Sequence, residues 1–227
     1  MKIKWIILLT IAPLFLYGAN ISIYEAGYSQ HRDPNVHVTN VVDEIQLKGV
    51  YVEHSLYVTF SYDFNSWFFK NYNELELEWS FKTPSNLIMF DLYYWEADSI
   101  KRADILDRWT AEMMFSEKSS PHREPAIMTM SNPSRDGQTT YTIRIFPIVR
   151  GQEQQIMIRY LVPATATSGN VRTWLPVNQL TTSDGGARKL HVVYRYSDNE
   201  DEPYLIGEED AAFEQDAAEQ EYTVEFP

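Results

Sequence analysis

The chain has 227 residues, 44% of them hydrophobic and 14% aromatic, with 19 lysines and arginines against 32 aspartates and glutamates and a net charge of −13. It is too apolar and aromatic for a disordered chain, and too acidic to be a natural nucleic-acid binder. The absence of cysteine excludes disulfides, thiolate metal sites, cysteine nucleophiles and an N-terminal lipidated cysteine, so stability must come from packing, and a chain of this length buries roughly 70% of its unfolded surface.

Lys2 and Lys4 precede an uncharged apolar run from Trp5 to Tyr17, then Gly18 and Ala19. This is the layout of a secretory signal peptide over residues 1–19. The run is shorter than the roughly 20 residues a membrane-spanning helix needs. The expectation is an exported protein, periplasmic, cell-surface or extracellular, associated with a membrane only through its export signal. An uncleaved anchor or a buried strand is the alternative.

Residues 20–40 form a polar lead-in with scattered aromatics. Ile45 and Leu47 then lie on one parity and Val50 and Val52 on the other, which a β-bulge at Lys48-Gly49 would bring onto one face. Val58, Phe60, Tyr62 and Phe64 alternate as a strand. Asn65 to Asn73 is turn-like but carries Trp67, Phe68 and Phe69, either folded onto the core or exposed as a binding patch. Leu75, Leu77, Trp79 and Phe81 face one way and Glu74, Glu76 and Glu78 the other. Three carboxylates in a row invite an acid/base interpretation, but a solvated outer face is expected, because general acids and bases need a pocket that perturbs their pKa. Leu87 to Trp95 is apolar on both parities, as in a strand covered on both faces or one showing an aromatic side.

From Ser99 to Phe115 the residues Ile100, Ala103, Leu106, Trp109 and Met113 recur at helical spacing, with Asp98 or Ser99 as N-cap, and predict one inserted α-helix packed on the sheet. Lys118 to Pro125 reads as a loop, Ala126 to Met130 as a short strand and Asn132 to Gly137 as a turn. The next two strands are the clearest in the chain. In one, Tyr141, Ile143 and Ile145 alternate with Thr140, Thr142 and Arg144; in the other, Ile156, Ile158 and Tyr160 alternate with Gln155, Met157 and Arg159. Pro147 and Gly151 mark the reversal between them. Beyond Pro163 come Trp174-Leu175-Pro176, the turn Ser183 to Gly186, a strand through Leu190, Val192, Tyr194 and Tyr196, and the start of another at Tyr222 to Phe226. From Asp198 onward there are 12 carboxylates and no lysine or arginine.

The expected fold is therefore all-β, a mostly antiparallel β-sandwich with one inserted helix around Ser99–Phe115. No catalytic, cofactor-binding or metal-ligating residue is assigned. The five histidines, His31, His37, His54, His122 and His191, show no ligand spacing, and no nucleophile elbow, phosphate loop or dinucleotide fingerprint occurs. Asp198 to Glu202 offers oxygen donors for calcium but lacks the glycine and terminal glutamate of an EF-hand, so a solvated acidic loop is expected. The possible ligand contacts are the aromatics Trp67, Tyr93, Tyr94 and Trp95.

The order of several segments resembles the VIT domain, the vault and inter-alpha-trypsin module, over about Val41 to Tyr160. They are Tyr62-Asp63-Phe64-Asn65 ending a strand pair, Glu78 to Pro84, the strand to Trp95, the Ala103 to Phe115 helix, Arg123 to Met128, and Tyr141 to Pro147 with Gly151-Gln152-Glu153 before a strand ending in Tyr160. The chain departs from the pattern at Phe81-Lys82-Thr83-Pro84, which lacks the first proline, and at Arg150-Gly151, which has no proline before its glycine. The resemblance implies a β-sandwich without catalytic residues or cofactor, which takes part in protein interaction, usually before a von Willebrand factor type A domain. Its metal-adhesion motif is absent here, so that partner domain would lie beyond Pro227. Residues 41–163 would form the VIT-like core and residues 164–227 a C-terminal β extension with an acidic segment, leading into a domain not present here. The alternatives are a carbohydrate-binding sandwich using the four aromatics, or a glycan-active enzyme using paired carboxylates.

Overall fold

The computed structural model describes residues 6–10, 20–25, 28–33, 36–62, 75–96, 99–105, 126–135, 137–148, 152–167, 170–175, 190–197, 202–206 and 212–226. Nearly all of these are in strands: β1 (Ile6–Thr10), β2 (Asn20–Glu25), β3 (Tyr28–Asp33), β4 (Val36–Lys48), β5 (Tyr51–Tyr62), β6 (Leu75–Pro84), β7 (Ile88–Glu96), β8 (Ser99–Ile105), β9 (Ala126–Met130), β10 (Gln138–Ile148), β11 (Gln154–Pro163), β12 (Thr165–Thr167), β13 (Asn170–Trp174), β14 (Leu190–Arg195), β15 (Tyr204–Ile206), β16 (Glu214–Asp216) and β17 (Glu221–Phe226). Thirteen of them form one continuous run in the order β16-β17-β14-β4-β5-β11-β7-β8-β9-β10-β6-β2-β3.

The run doubles back at its narrowest point. β8 and β9 share only the parallel pairs Asp104↔Ile127 and Ile105↔Met128, whereas neighbouring strands such as β4 and β5 pair along their whole length. The strands on either side of this joint form two layers, seen in Phe60 of β5 meeting Trp79 of β6 edge-on at 5.6 Å although their strands lie far apart in the sheet order. One layer runs from β16 to β8, the other from β9 to β3. Their facing residues, among them Val41, Ile45, Val58, Leu92, Ile156 and Ile158 from the first and Leu77, Trp79, Ile143 and Ile145 from the second, are buried in a single apolar cluster. Each such side chain contributes about 1.5–3 kcal/mol when fully removed from water.

The alternation read from the sequence is realised with different partners. β10 and β11 are consecutive but do not pair with each other: β10 lies between β6 and β9, and β11 between β5 and β7. The Pro147 region therefore passes the chain from one layer to the other instead of closing a hairpin. The β10–β6 ladder is irregular between Ile145 and Ile148, where Pro147 has no N–H to donate. At Gly49 the expected bulge is instead a two-residue hairpin. Lys48 pairs with Tyr51, Gly49 takes φ +65 as the first position of a type II′ turn requires, and Val50 is 73% exposed rather than packed on the core face with buried Ile45 and partly buried Leu47.

The inserted helix is corrected over its first turns. Ser99 to Ile105 is strand β8, antiparallel to β7 from Glu96↔Ser99 to Leu92↔Ala103. Ile100, expected on the buried face of a helix, is 59% exposed, while Ala103 is buried. The remainder of the expected helix, residues 106–115, lies outside the described residues, as do Trp67, Phe68 and Phe69, the Asp198 to Asp201 run and the turn at 183–186. The polar lead-in contributes β2, β3 and the start of β4, and Ile21, Ile23, Val36 and Val38 join the core.

A separate four-stranded sheet has the order β12-β13-β1-β15, with β1 parallel to both of its neighbours.

Candidate binding face and buried polar clusters

Strand parity places the functional candidates. Tyr57, Met157 and Tyr93 are cross-strand partners on β5, β11 and β7 and therefore share the outer face of the larger layer, with Trp95 two residues further along β7. All four are half-buried. Tyr57 and Trp95 lie 6.3 Å apart with their rings tilted by 53°. Burial, then the Glu44 carboxylate, raises the Tyr57 phenol above the ordinary tyrosine value.

Tyr94 is on the opposite parity and is buried in the core. The four aromatics named from sequence thus separate: Tyr93 and Trp95 belong to the outer face, Tyr94 does not, and Trp67 lies outside the described residues. Tyr57 is not among the sequence candidates, because the apolar alternation of its strand is carried by Val58, Phe60 and Tyr62; it joins Tyr93 and Trp95 on the outer face.

The aromatic row is framed by arginine ion pairs. Arg159 reaches Asp91 at 3.2 Å and Glu53 at 2.5 Å, and its guanidinium sits 4.9 Å from the Phe90 ring centroid. Arg102 pairs with the same Asp91. On the far side Arg195 holds Glu221 at 2.9 Å and Glu44 at 3.3 Å. Each arginine is fixed by at least one carboxylate, which limits its loss of side-chain entropy on meeting a partner.

The second layer corrects the solvated glutamate row. Glu76 is fully buried: its Oε1 accepts a hydrogen bond from the Tyr24 hydroxyl at 2.6 Å and pairs with Arg144 Nε. Glu78 is half-buried, with its Oε2 3.4 Å from the same hydroxyl, and Glu74 lies outside the described residues. A buried carboxylate needs such partners, and Tyr24 and Arg144 supply them from β2 and β10 on either side of β6.

A third cluster was not anticipated. His54 is fully buried on β5, with Nδ1 3.0 Å from Asp43 Oδ2 and Nε2 2.9 Å from Thr173 Oγ1. The Tyr160 ring stacks on the imidazole at 4.6 Å and 7°. In the tautomer that carries its proton on Nδ1, His54 donates to the carboxylate and accepts from the threonine hydroxyl at Nε2. This is the order of orienter, base and hydroxyl found in acyl-transfer triads. Yet Asp43 and His54 have no exposure and Thr173 has 4%, so no substrate reaches the hydroxyl in this state. What the chain does here is tie β13 of the small sheet to the large layer. A sequence signal existed: Asp43 and His54 occupy inward positions, between Val41 and Ile45 and between Val52 and Leu56.

Among the described residues no group of three or more His, Asp or Glu side chains is placed to hold a metal ion, and no helix is long and apolar enough to cross a membrane.

No known protein-family profile and no curated protein matches the sequence. Solved structures match over most of the chain at low identity. Aminopeptidase A of Legionella pneumophila, in complex with aspartic acid, is 11% identical over 90% of this chain and 21% of its own, with a TM-score of 0.35. A putative nutrient binding protein from Legionella pneumophila subsp. pneumophila is 11% identical over 92% of this chain and 68% of its own, with a TM-score of 0.46. An M1 zinc metallopeptidase variant from Deinococcus radiodurans is 7% identical over 85% of this chain and 38% of its own, with a TM-score of 0.36. This chain therefore spans about a fifth of the aminopeptidase's length, and at such scores nothing about activity carries over.

Proposed function

We propose that this chain is an exported, non-catalytic protein-interaction module that meets its partner through the outer face of the larger layer. The observation that carries this is the row Tyr57, Tyr93 and Trp95 set among Arg159, Arg102 and Arg195. Tyrosine, tryptophan and arginine are the residues that dominate binding energy at protein interfaces, typically as an aromatic centre within a polar rim. The 53° tilt between Tyr57 and Trp95 favours a protein partner over a sugar, since a flat sugar ring stacks best on rings that present a common plane. A two-layered β fold is also what the VIT resemblance implies, while strand β8 in place of the helix's first turns weighs against one part of that pattern. A von Willebrand factor type A domain following in the same polypeptide would be one partner of the expected kind.

The test places a photo-crosslinking amino acid at Tyr57 in the exporting cell. The expected result is a discrete crosslinked protein, lost on Trp95→Ala while the purified variant keeps its thermal stability. Binding to a glycan panel that disappears with the same substitution would overturn the proposal in favour of the carbohydrate-binding alternative. Hydrolysis of a glycan, abolished by changing Glu78, would overturn it in favour of an enzyme.

A further inference from the structure

We propose that removal of the leader opens a lane between β13 and β15 that receives a β-strand from another polypeptide, apolar at the positions paired with Val171 and Thr173 and entering parallel to β13. This rests on the export reading above, not on the outer face.

β1 is the middle strand of the small sheet, registered with β13 from Ile6↔Asn170 to Thr10↔Trp174 and with β15 from Leu8↔Tyr204 to Thr10↔Ile206. Among the described residues β13 and β15 are joined only through it. The same segment falls within the apolar run of the signal-peptide-like leader, residues 1–19. Cleavage near Asn20 leaves two strands facing each other across the width of one missing strand. The backbone N–H and C=O groups along that lane lose their partners, which is the condition that β-augmentation satisfies.

The β13 wall is anchored independently of β1. Val171 and Leu175 belong to the main apolar cluster, Thr173 is bonded to His54, β12 pairs with β13 on its other side, and the chain entering β12 is held by Ala164 N–H donating to Val50 C=O at 2.9 Å. The lane therefore keeps one fixed edge after the leader is gone.

Register then specifies the occupant. The lane positions paired with Val171 and Thr173 lie on the face where both residues are buried, whereas the position paired with Arg172 and Tyr204 lies on the face where Arg172 is exposed and Tyr204 is 43% exposed. An entering strand needs apolar residues at the first two positions and tolerates a charge at the one between them.

The experiment uses protein purified after export, with its N-terminus read by mass spectrometry, and a peptide of residues 2–13, whose two lysines aid solubility. Amide hydrogen exchange at 171–174 is expected to be fast in the protein alone and to slow by about tenfold or more with the peptide. The peptide carrying Ile7→Asp and Leu9→Asp is expected to do nothing, and the one carrying Leu8→Asp to retain most of the effect. Retention of Met1 in the exported protein would overturn both this proposal and the reading of residues 1–19 as a cleaved leader, on which it rests. An N-terminus near Asn20 would leave export standing and overturn the lane alone if the 171–174 amides were already protected, if the peptide failed to slow them, or if both Asp-bearing peptides acted alike.

Discussion

Changing Glu76 to Gln isolates the buried ion pair of the second layer. The carboxylate has no exposure and takes hydrogen bonds from Tyr24 and Arg144, whose own side chain keeps 24% exposure. Breaking a buried pair by removing one partner generally costs about 3–5 kcal/mol, because a charge is left uncompensated. Two features lower that figure here: Arg144 retains contact with water, and glutamine still offers an oxygen to the Tyr24 hydroxyl. A loss of about 2–3 kcal/mol is expected. Glu78→Gln, two residues away on the same face but half-buried, should cost about 1 kcal/mol or less. Urea unfolding at neutral pH, with the slope of the transition checked for constancy, measures both. Replacing the pair together, Glu76→Leu with Arg144→Met, should recover much of the loss, since hydrophobic substitutes of similar volume avoid the desolvation of two charges. Equal losses at Glu76 and Glu78 would refute the assignment of the pair to the protein's interior.

Three further outcomes follow from the geometry. Ile143→Ala removes a fully buried side chain and should cost about 2–5 kcal/mol, whereas Thr142→Ala, on the opposite parity and bonded to Ser80 at 2.9 Å, should cost about 1 kcal/mol; unfolding curves that coincide would mean the facing is wrong. Tyr160 is held well above the ordinary tyrosine value by burial and then by Asp43, so its contribution is complete below the unfolded tyrosine pKa of about 10 and is lost as pH climbs beyond it, by up to ~1.4 kcal/mol per pH unit. Stability measured between pH 8 and 11 should fall less steeply in Tyr160→Phe than in the natural chain, and identical slopes would remove Tyr160 from the alkaline transition. Thr173→Val deprives His54 Nε2 of its hydroxyl partner and should cost about 1–3 kcal/mol, while Thr173→Ser should cost less; no difference between the two would show that the tie to β13 is not made through the hydroxyl.

Period-two alternation made most of the strands legible because one face of each is packed against the other layer. Leu75, Leu77, Trp79 and Phe81 are all buried, as are Tyr141, Ile143, Ile145, Ile156, Ile158 and Tyr160. What alternation cannot express is the partner. β10 and β11 look like a hairpin in sequence and lie in opposite layers in the fold, because a strand's own pattern reports only that a face is covered. The correction of the expected helix over Ser99 to Ile105 has the same origin. Ile100 and Ala103 fit a three-residue spacing, but the ladder with β7 begins at Glu96↔Ser99, and hydrogen bonds to an adjacent strand outweigh a spacing that a few apolar residues can show by chance.

Polar residues carry the more specific information, and at Asp43 and His54 the parity of the strand marks them as inward although it does not name their partners. Asp43 and His54 interrupt apolar positions on β4 and β5, so each had to find a partner inside the fold or be excluded from it; they found each other and Thr173. Glu76 stands between Leu75 and Leu77 on the face expected to be wet, and nothing in its own strand signals burial. Its partners are Tyr24, 52 residues earlier, and Arg144, 68 residues later. A charge at an inward position can therefore be flagged from the sequence of one strand. A charge buried on an outward face depends on strands that the sequence leaves unassigned, here β2 in the polar lead-in, and becomes visible only when the neighbours of β6 are known.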